Sequence, residues 1–479
     1  MKKIYLVLVL SLFASFALAD DLPELGDVSA TVLSPLQEQR IAEQIMKDVM
    51  SSDDSSVVQD PEIQDYVSQL GYKLGMASPD PQQKFNFFVV RDNTINAFAM
   101  PGGVVGVHTG LLVAANEEAQ VAGVLGHEIG HVVQHHMARV MAQQKTDTVF
   151  NIAGMALALL AARGNPQLGM GGMVAASAGS IQRQLDYTRE HEREADRIGL
   201  QILQKAGYDV HAMSAFFEVM QKGTRFSDGS APAFLRTHPV TTERIADVRN
   251  RESGANFRMI PYTPDFDYVR AKLIAALGSP GQAIDVFQGN IRDKKYSNEA
   301  SQHYGLAVAY LRKLDIANAS RELAWLRSNA IAHPMFEVLA ANIQVANKDA
   351  QKAGQQYEKA LAIYPDNRSL INGYAEHLLA LNRLEDMLNF VSDKQRLYPD
   401  DPYLYELKSR VYTLQGKNLL RHQAQGEAYV RRYNMQGALE QFDLAAKAGD
   451  GDFYQQSMVE ARLNYLKQIA IDPKKNKGW

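Results

Sequence analysis

The chain has 479 residues, 46% of them hydrophobic and 22% charged. At roughly 100–200 residues per domain this is enough for two to four domains with real cores, and wholesale disorder is excluded. A formal net charge of −4 excludes a strongly basic nucleic-acid binder, and the absence of cysteine excludes disulfide scaffolds, thiolate metal sites, cysteine nucleophiles and lipidated cysteines.

Lys2 and Lys3 form a short basic start, an apolar stretch runs from Ile4 to Phe16, and Ala17-Leu18-Ala19 precedes Asp20. This reads as a signal peptide over residues 1–19, because the apolar core is shorter than the ~20 residues a membrane span needs. The expected mature chain is therefore exported, which in a bacterium means the periplasm. Residues 20–60 read as an N-terminal helical segment, with the pattern clearest from Pro35 to Val49. Pro61 to Met76 is predicted as an amphipathic helix, with Ile63, Tyr66, Val67, Leu70 and Leu74 at helical spacing.

Phe85 to Val90 then reads as a strand. Ala97 to Met100 and Val104 to His108 read as two strands joined by the Pro101-Gly102-Gly103 turn, with 97–108 forming a sheet edge. Asn116 to Gln143 is predicted helical. A second apolar stretch, Val149 to Ala162, is again short for a span and reads as a buried or interfacial helix. Residues 164–180 are rich in glycine and read either as a lid or as a linker; Gln182 to Gly207 returns to a charged helical pattern.

Turn-forming residues cluster between Arg251 and Pro264, and the chain beyond them repeats. Ala307, Ala341, Ala375 and Ser409 are small residues spaced by 34, as are Ala319 and Ala353, and Pro365 and Pro399. A 34-residue period with small residues where helices cross resembles tetratricopeptide repeats, a superhelix with an extended concave face. The step from Ser409 to Gly426 is half a period, which predicts an unpaired helix or an irregular unit there.

The chemistry concentrates at His127-Glu128-Ile129-Gly130-His131. On a helix, positions i and i+4 share a face, so both imidazoles can reach one ion. Glu128 lies about 100° round the helix, where it can approach a water without ligating the metal. His135 and His136 are tempting additions. However, His127, His131 and His135 span about 12 Å of helix, too far for one ion with bonds of ~2 Å. His135 and His136 are therefore read as surface groups or as supports behind the ligands. Glu190, Glu192, Glu194 and Asp196 offer carboxylates on one helix, and spacing alone does not choose among the three glutamates.

Asn96-Ala97-Phe98-Ala99-Met100-Pro101-Gly102-Gly103, the His127–His131 motif, Glu192-Arg193-Glu194-Ala195-Asp196 and Thr237-His238-Pro239 together resemble the M48 metallopeptidase family. The leader, peptidase unit and repeats together resemble a periplasmic group within it, the β-barrel assembly-enhancing proteases. The resemblance implies a mainly α protein: an α+β zincin-type domain at 61–258 with a small antiparallel sheet, then an all-α tetratricopeptide superhelix at 262–472. It implies one zinc ion per subunit, held by His127, His131 and Glu192, with Asp196 orienting a histidine ligand. Glu128 would be the general base. His238 would be an oxyanion donor, a fourth ligand that holds the enzyme latent, or a structural histidine before proline. The implied partners are unfolded or stalled outer-membrane β-barrel proteins and, through the repeats, the β-barrel assembly machinery, with no nucleic acid and no stable membrane span. A non-enzymatic chaperone or adaptor built on the repeats is the competing reading. Glu128 argues against it, because a vestigial site needs no base.

Overall fold

A computed structural model describes residues 33–51, 56–144, 189–226, 233–253 and 262–471. The expected leader at 1–19, the apolar stretch at 149–162 and the glycine-rich 164–180 lie outside the described residues. Among the described residues, no helix is long and apolar enough to cross a membrane.

The peptidase unit begins with helix α1 (Pro35–Ser51) and helix α2 (Pro61–Met76). Asp60 caps α2 by accepting from the Glu62 amide, and Pro61 sits where its missing N–H costs nothing. The predicted stripe of Ile63, Tyr66, Val67, Leu70 and Leu74 is buried. Strands β1 (Asn86–Val90), β2 (Ala97–Met100) and β3 (Val104–His108) follow, in the order β1-β3-β2.

The expected antiparallel sheet is instead mixed. β2 pairs antiparallel with β3, but β1 pairs parallel with it, Asn86 opposite Val104. β3 takes the central place because all five of its residues are buried. It follows that, among the described residues, 97–100 lie in an outer strand and 104–108 do not. The hairpin turn requires both glycines: Gly102 and Gly103 have φ of 76° and 81°. A Cβ at Gly103 would also lie 2.1 Å from the Lys84 carbonyl oxygen.

Helices α3 (Thr109–Ala114), α4 (Glu118–Val133) and α5 (His136–Gln144) come next. The single helix expected from Asn116 to Gln143 is thus broken at Gln134 and His135, where His135 has φ of 49°. Beyond the gap lie α6 (Arg189–Ala206), α7 (His211–Phe226), α8 (Ala233–Thr237) and α9 (Thr242–Glu252).

The repeat unit alternates A and B helices. These are α10 (Asp265–Ala276), α11 (Pro280–Arg292), α12 (Glu299–Arg312), α13 (Ile316–Asn329), α14 (Pro334–Ala346) and α15 (Ala350–Ile363). They continue as α16 (Arg368–Ala380), α17 (Leu384–Leu397), α18 (Pro402–Leu414), α19 (Asn418–Arg431), α20 (Met435–Ala446) and α21 (Phe453–Ile471). The 34-residue period reappears in the A-to-B turns: Leu314, Lys348, Asn382 and Gly416 all have positive φ. Ala307, Ala341, Ala375, Ala319 and Ala353 are fully buried at helix crossings.

No helix among the described residues is left unpaired at the half-period step. The irregularity is in the packing: Gly426 on α19 faces the Phe442 ring on α20, so α19 is the second helix of one pair and the glycine-bearing helix of the next.

The two units share one apolar core. Phe266 on α10 lies 6.4 Å from Tyr66 on α2, and Tyr268, Tyr304 and Phe336 continue the cluster into the repeats. Polar ties cross the same seam. Lys272 pairs with Glu62 and, at 2.5 Å, with Asp60, while Arg368 pairs with Asp65 at 2.6 Å.

Two glycine substitutions should therefore act in opposite directions. A Cβ at Gly305 would meet the buried Phe287 ring at 2.2 Å, whereas one at Gly289 would meet only the tip of Arg292 at 3.9 Å. Gly305→Val is expected to lower the unfolding free energy by roughly 1–3 kcal/mol through overpacking. Gly289→Ala is expected to raise it by up to about 1 kcal/mol through helix propensity. Urea denaturation of both variants checks the pair.

Candidate metal centre

The site exists because α4 and α6 touch backbone to backbone. A Cβ on Gly130 would lie 3.0 Å from the Ala195 carbonyl oxygen, and one on Gly126 would lie 3.3 Å from that of Gly199. A Cβ on Gly199 would sit 3.0 Å from the His127 nitrogen. This approach sets the His127/His131 pair of α4 against the Glu192/Asp196 pair of α6, each at i and i+4. The short helix α8 delivers His238, whose amide donates to the Phe234 carbonyl at 2.8 Å and whose ring stacks on Phe234.

His127, His131, Glu192 and His238 each offer a donor atom, all within 4.8 Å of one another and all buried. The His127 and His131 Nε2 atoms are 3.0 Å apart. Glu192 oxygens lie 3.5 Å from His127 Nε2 and 3.4 Å from His131 Nε2. His238 Nδ1 is 3.4 Å from His127 Nε2 and 2.8 Å from Glu192 Oε1. Donors bound at about 2.0–2.1 Å in a tetrahedron lie roughly 3.3–3.4 Å apart, so the cluster has the dimensions of a small-cation site.

Charge points the same way. Glu128, Glu192 and Asp196 are three buried carboxylates facing one buried guanidinium, Arg244. A dication restores neutrality. Without one, His127 carries part of the load. Burial lowers its pKa, but hydrogen bonds with Asp196 and Glu192 overcome this and raise it to about 9. His131 goes the other way, held well below the usual imidazole range by burial and by the charge of His127. Burial opposes ionisation of Glu192, yet the charge of His238 and hydrogen bonds from the histidines hold it well below the usual carboxylate range.

Of the three candidate glutamates, Glu192 is the one in the cluster. Glu190 is exposed, and Glu194 turns to His136 and Arg139. Asp196 Oδ1 contacts His127 Nδ1 at 2.9 Å. His135 stays out of the site and faces Glu38 at 3.4 Å, whereas His136 is buried with its Nδ1 2.8 Å from His131 Nδ1. Both oxygens of Glu128 are buried without a side-chain hydrogen bond among the described residues; the Ala99 backbone favours the charged form, and His238 Nε2 stands 3.6 Å from Oε1. Burial pushes the Glu128 carboxyl above its ordinary range, against the charges of His238 and His127. A buried carboxylate whose pKa burial raises suits a proton acceptor.

Sequence reasoning missed Arg244. Its Nε and Nη2 donate to the two Asp196 oxygens at 2.8 Å each, and Nη1 lies 2.7 Å from Glu192 Oε2. A signal was available: two acids on one buried helix face require a cation, and a fork donor suits both.

A His-Glu-x-x-His helix, a carboxylate donor from a second helix and a buried base beside them are the parts of a metallopeptidase centre. Residues 58–252 match Peptidase family M48, and residues 344–411 match the tetratricopeptide repeat. The chain belongs to peptidase family M48. It is 32% identical over 450 residues, 93% of this chain and 92% of the relative, to a Vibrio cholerae protein provisionally named a beta-barrel assembly-enhancing protease. It is 27% identical over 457 residues to the beta-barrel assembly-enhancing protease of Escherichia coli strain K12, covering 94% of this chain and 92% of that one. The mitochondrial metalloendopeptidase OMA1 of Schizosaccharomyces pombe is 32% identical over 212 residues, 44% of this chain and 60% of that protein.

Replacing Arg244 by Met leaves Asp196 and Glu192 buried without their cation. The expected loss is about 3–5 kcal/mol of unfolding free energy in the metal-free protein, measured by urea denaturation. Arg244→Lys should recover only part of it, because one ammonium cannot serve both carboxylates as the fork does.

Proposed function

We propose that the protein is a periplasmic zinc endopeptidase that captures misassembled outer-membrane β-barrel proteins and degrades them or promotes their assembly. The observation that carries the peptidase reading is the buried four-donor cluster with the buried carboxylate of Glu128 beside it. The names of the two relatives that span this chain support the β-barrel reading. In this proposal residues 1–19 are a removed leader, 20–60 a helical segment, 61–258 the peptidase unit and 262–472 the repeat unit.

His127, His131 and Glu192 would hold one zinc ion per chain, and Asp196 would orient His127 through Nδ1. Zinc bound there supplies a Lewis acid that acidifies water and polarises a peptide carbonyl. Glu128 takes the proton of the attacking water and delivers it to the leaving amine. Among the described residues β2 is an outer strand at 97–100, to which an extended substrate can pair by backbone hydrogen bonds, which favours unfolded chains over folded ones. His238 has two roles open to it, oxyanion donor or fourth ligand. Its Nδ1 lies among the other donors, which supports the fourth-ligand role and a latent resting enzyme.

The repeat unit would supply capture of clients, and contact with the β-barrel assembly machinery, in a chaperone-like role. A cavity of about 1270 Å³ between α2 and the repeats supports this; Tyr72, Arg368, Tyr398, Tyr433 and Arg462 are among its lining residues. Aromatic and arginine side chains of that kind serve as anchors for protein partners.

Glu128→Gln is the direct test. Zinc content should be unchanged, and cleavage of an unfolded outer-membrane β-barrel protein should fall by about 10²–10⁴-fold. Cleavage at the unaltered rate would sink the peptidase reading and leave capture alone.

A further inference from the structure

We infer that His136 and Glu194 are positioning residues that fix His131 through a hydrogen-bond chain of one polarity. The inference rests on the reading that His131 ligates a metal. His131 points Nε2 at the other donors, 3.0 Å from His127 Nε2. A nitrogen that donates its lone pair to a metal carries no proton, so the proton of a neutral His131 sits on Nδ1. That atom lies 2.8 Å from His136 Nδ1. His136 must therefore accept at Nδ1 and keep its own proton on Nε2, which lies 3.1 Å from Glu194 Oε2. Arg139 Nη1 donates to the same oxygen at 2.8 Å, and the His191 ring stacks on His136 at 4.6 Å. Each link of the chain thus has a defined donor and acceptor, and only one tautomer of each histidine satisfies it.

The backbone pays for this placement. On an unbroken helix, residue 136 would lie five positions beyond His131, about 140° round the axis and facing away from it. The break after α4 passes through His135 at φ of 49°, a conformation that costs a non-glycine residue about 1–2 kcal/mol. The break brings His136 back under His131. His127 has its own support from Asp196 at 2.9 Å, so the two imidazoles are held by different devices, a carboxylate and a histidine relay.

The test measures zinc affinity by chelator competition and thermal unfolding of the metal-free protein. His136→Phe keeps a ring and removes both hydrogen bonds; zinc binding should weaken about 10–100-fold. His136→Gln can still accept from His131 and donate to Glu194, and should recover most of that loss. Glu194→Ala removes a half-buried side chain that folding tolerates; it should weaken binding in the same direction and add little in the His136→Phe background, because the two act in series. Wild-type affinity in His136→Phe, no recovery in His136→Gln, or full additivity of Glu194→Ala would each overturn the relay. Should His136→Phe prove unstable without metal, Glu194→Ala alone decides, and wild-type affinity there overturns the relay. A wild-type chain that takes up no zinc would overturn both the relay and the metallopeptidase reading, whereas zinc bound equally by all variants would overturn the relay alone.

Discussion

Everything at the candidate centre depends on how closely α4 and α6 approach. Gly126 and Gly130 on one helix and Gly199 on the other make a crossing at which any Cβ would be crowded. Helices normally pack 8–10 Å apart, with side chains between them. Removing those side chains lets an i, i+4 pair of imidazoles meet an i, i+4 pair of carboxylates directly. The cost is burial of three carboxylates, and Arg244 answers only part of it. The remaining negative charge is what a dication would satisfy. The acids Asp196 and Glu192 account for the raised pKa of His127, and the histidines around Glu192 account for its depressed one.

The repeats are built into the peptidase unit through a common core. Phe266 on α10 packs near Tyr66 on α2, and Lys272 and Arg368 reach acids on or beside that same helix. α2 also supports the sheet, where the Gln64 amide donates to the Phe87 carbonyl at 2.6 Å. One helix therefore connects the repeats to the sheet whose outer strand β2 lies beside α4. Under the proposed function, capture and cleavage would share a single frame with a fixed distance between them.

The sequence carried much of this, and its limits have physical causes. The helix over 61–76 was legible because its stripe and its cap agree. The His127–His131 pair was legible because helical spacing alone puts both rings on one face. Glu192 could not be separated from Glu190 and Glu194 by spacing, since arginines interleaved on that helix hide its buried face; family resemblance separated them. The parallel pairing of β1 with β3 was hidden because a fully buried strand has no alternation to read, and the Pro-Gly-Gly turn signals only the β2–β3 hairpin. The break at His135 was invisible because left-handed turns are usually marked by glycine or asparagine. The signal for Arg244 lay on the two acids of the other helix and named no particular cation, because those acids are about fifty residues away in the chain. In the repeats, the half-period step was legible as an anomaly, but its meaning was not. Phe442 packs on the glycine of the preceding helix, where Phe287 and Tyr357 pack on that of the following one, and no helix among the described residues is left over.

The most direct test of the account is zinc-edge X-ray absorption on the purified protein. The account predicts one zinc per chain with a first shell of four nitrogen and oxygen donors at about 2.0–2.1 Å and the multiple scattering of imidazole ligands. A protein that binds no zinc, or a zinc shell of six oxygens without imidazole scattering, would contradict it.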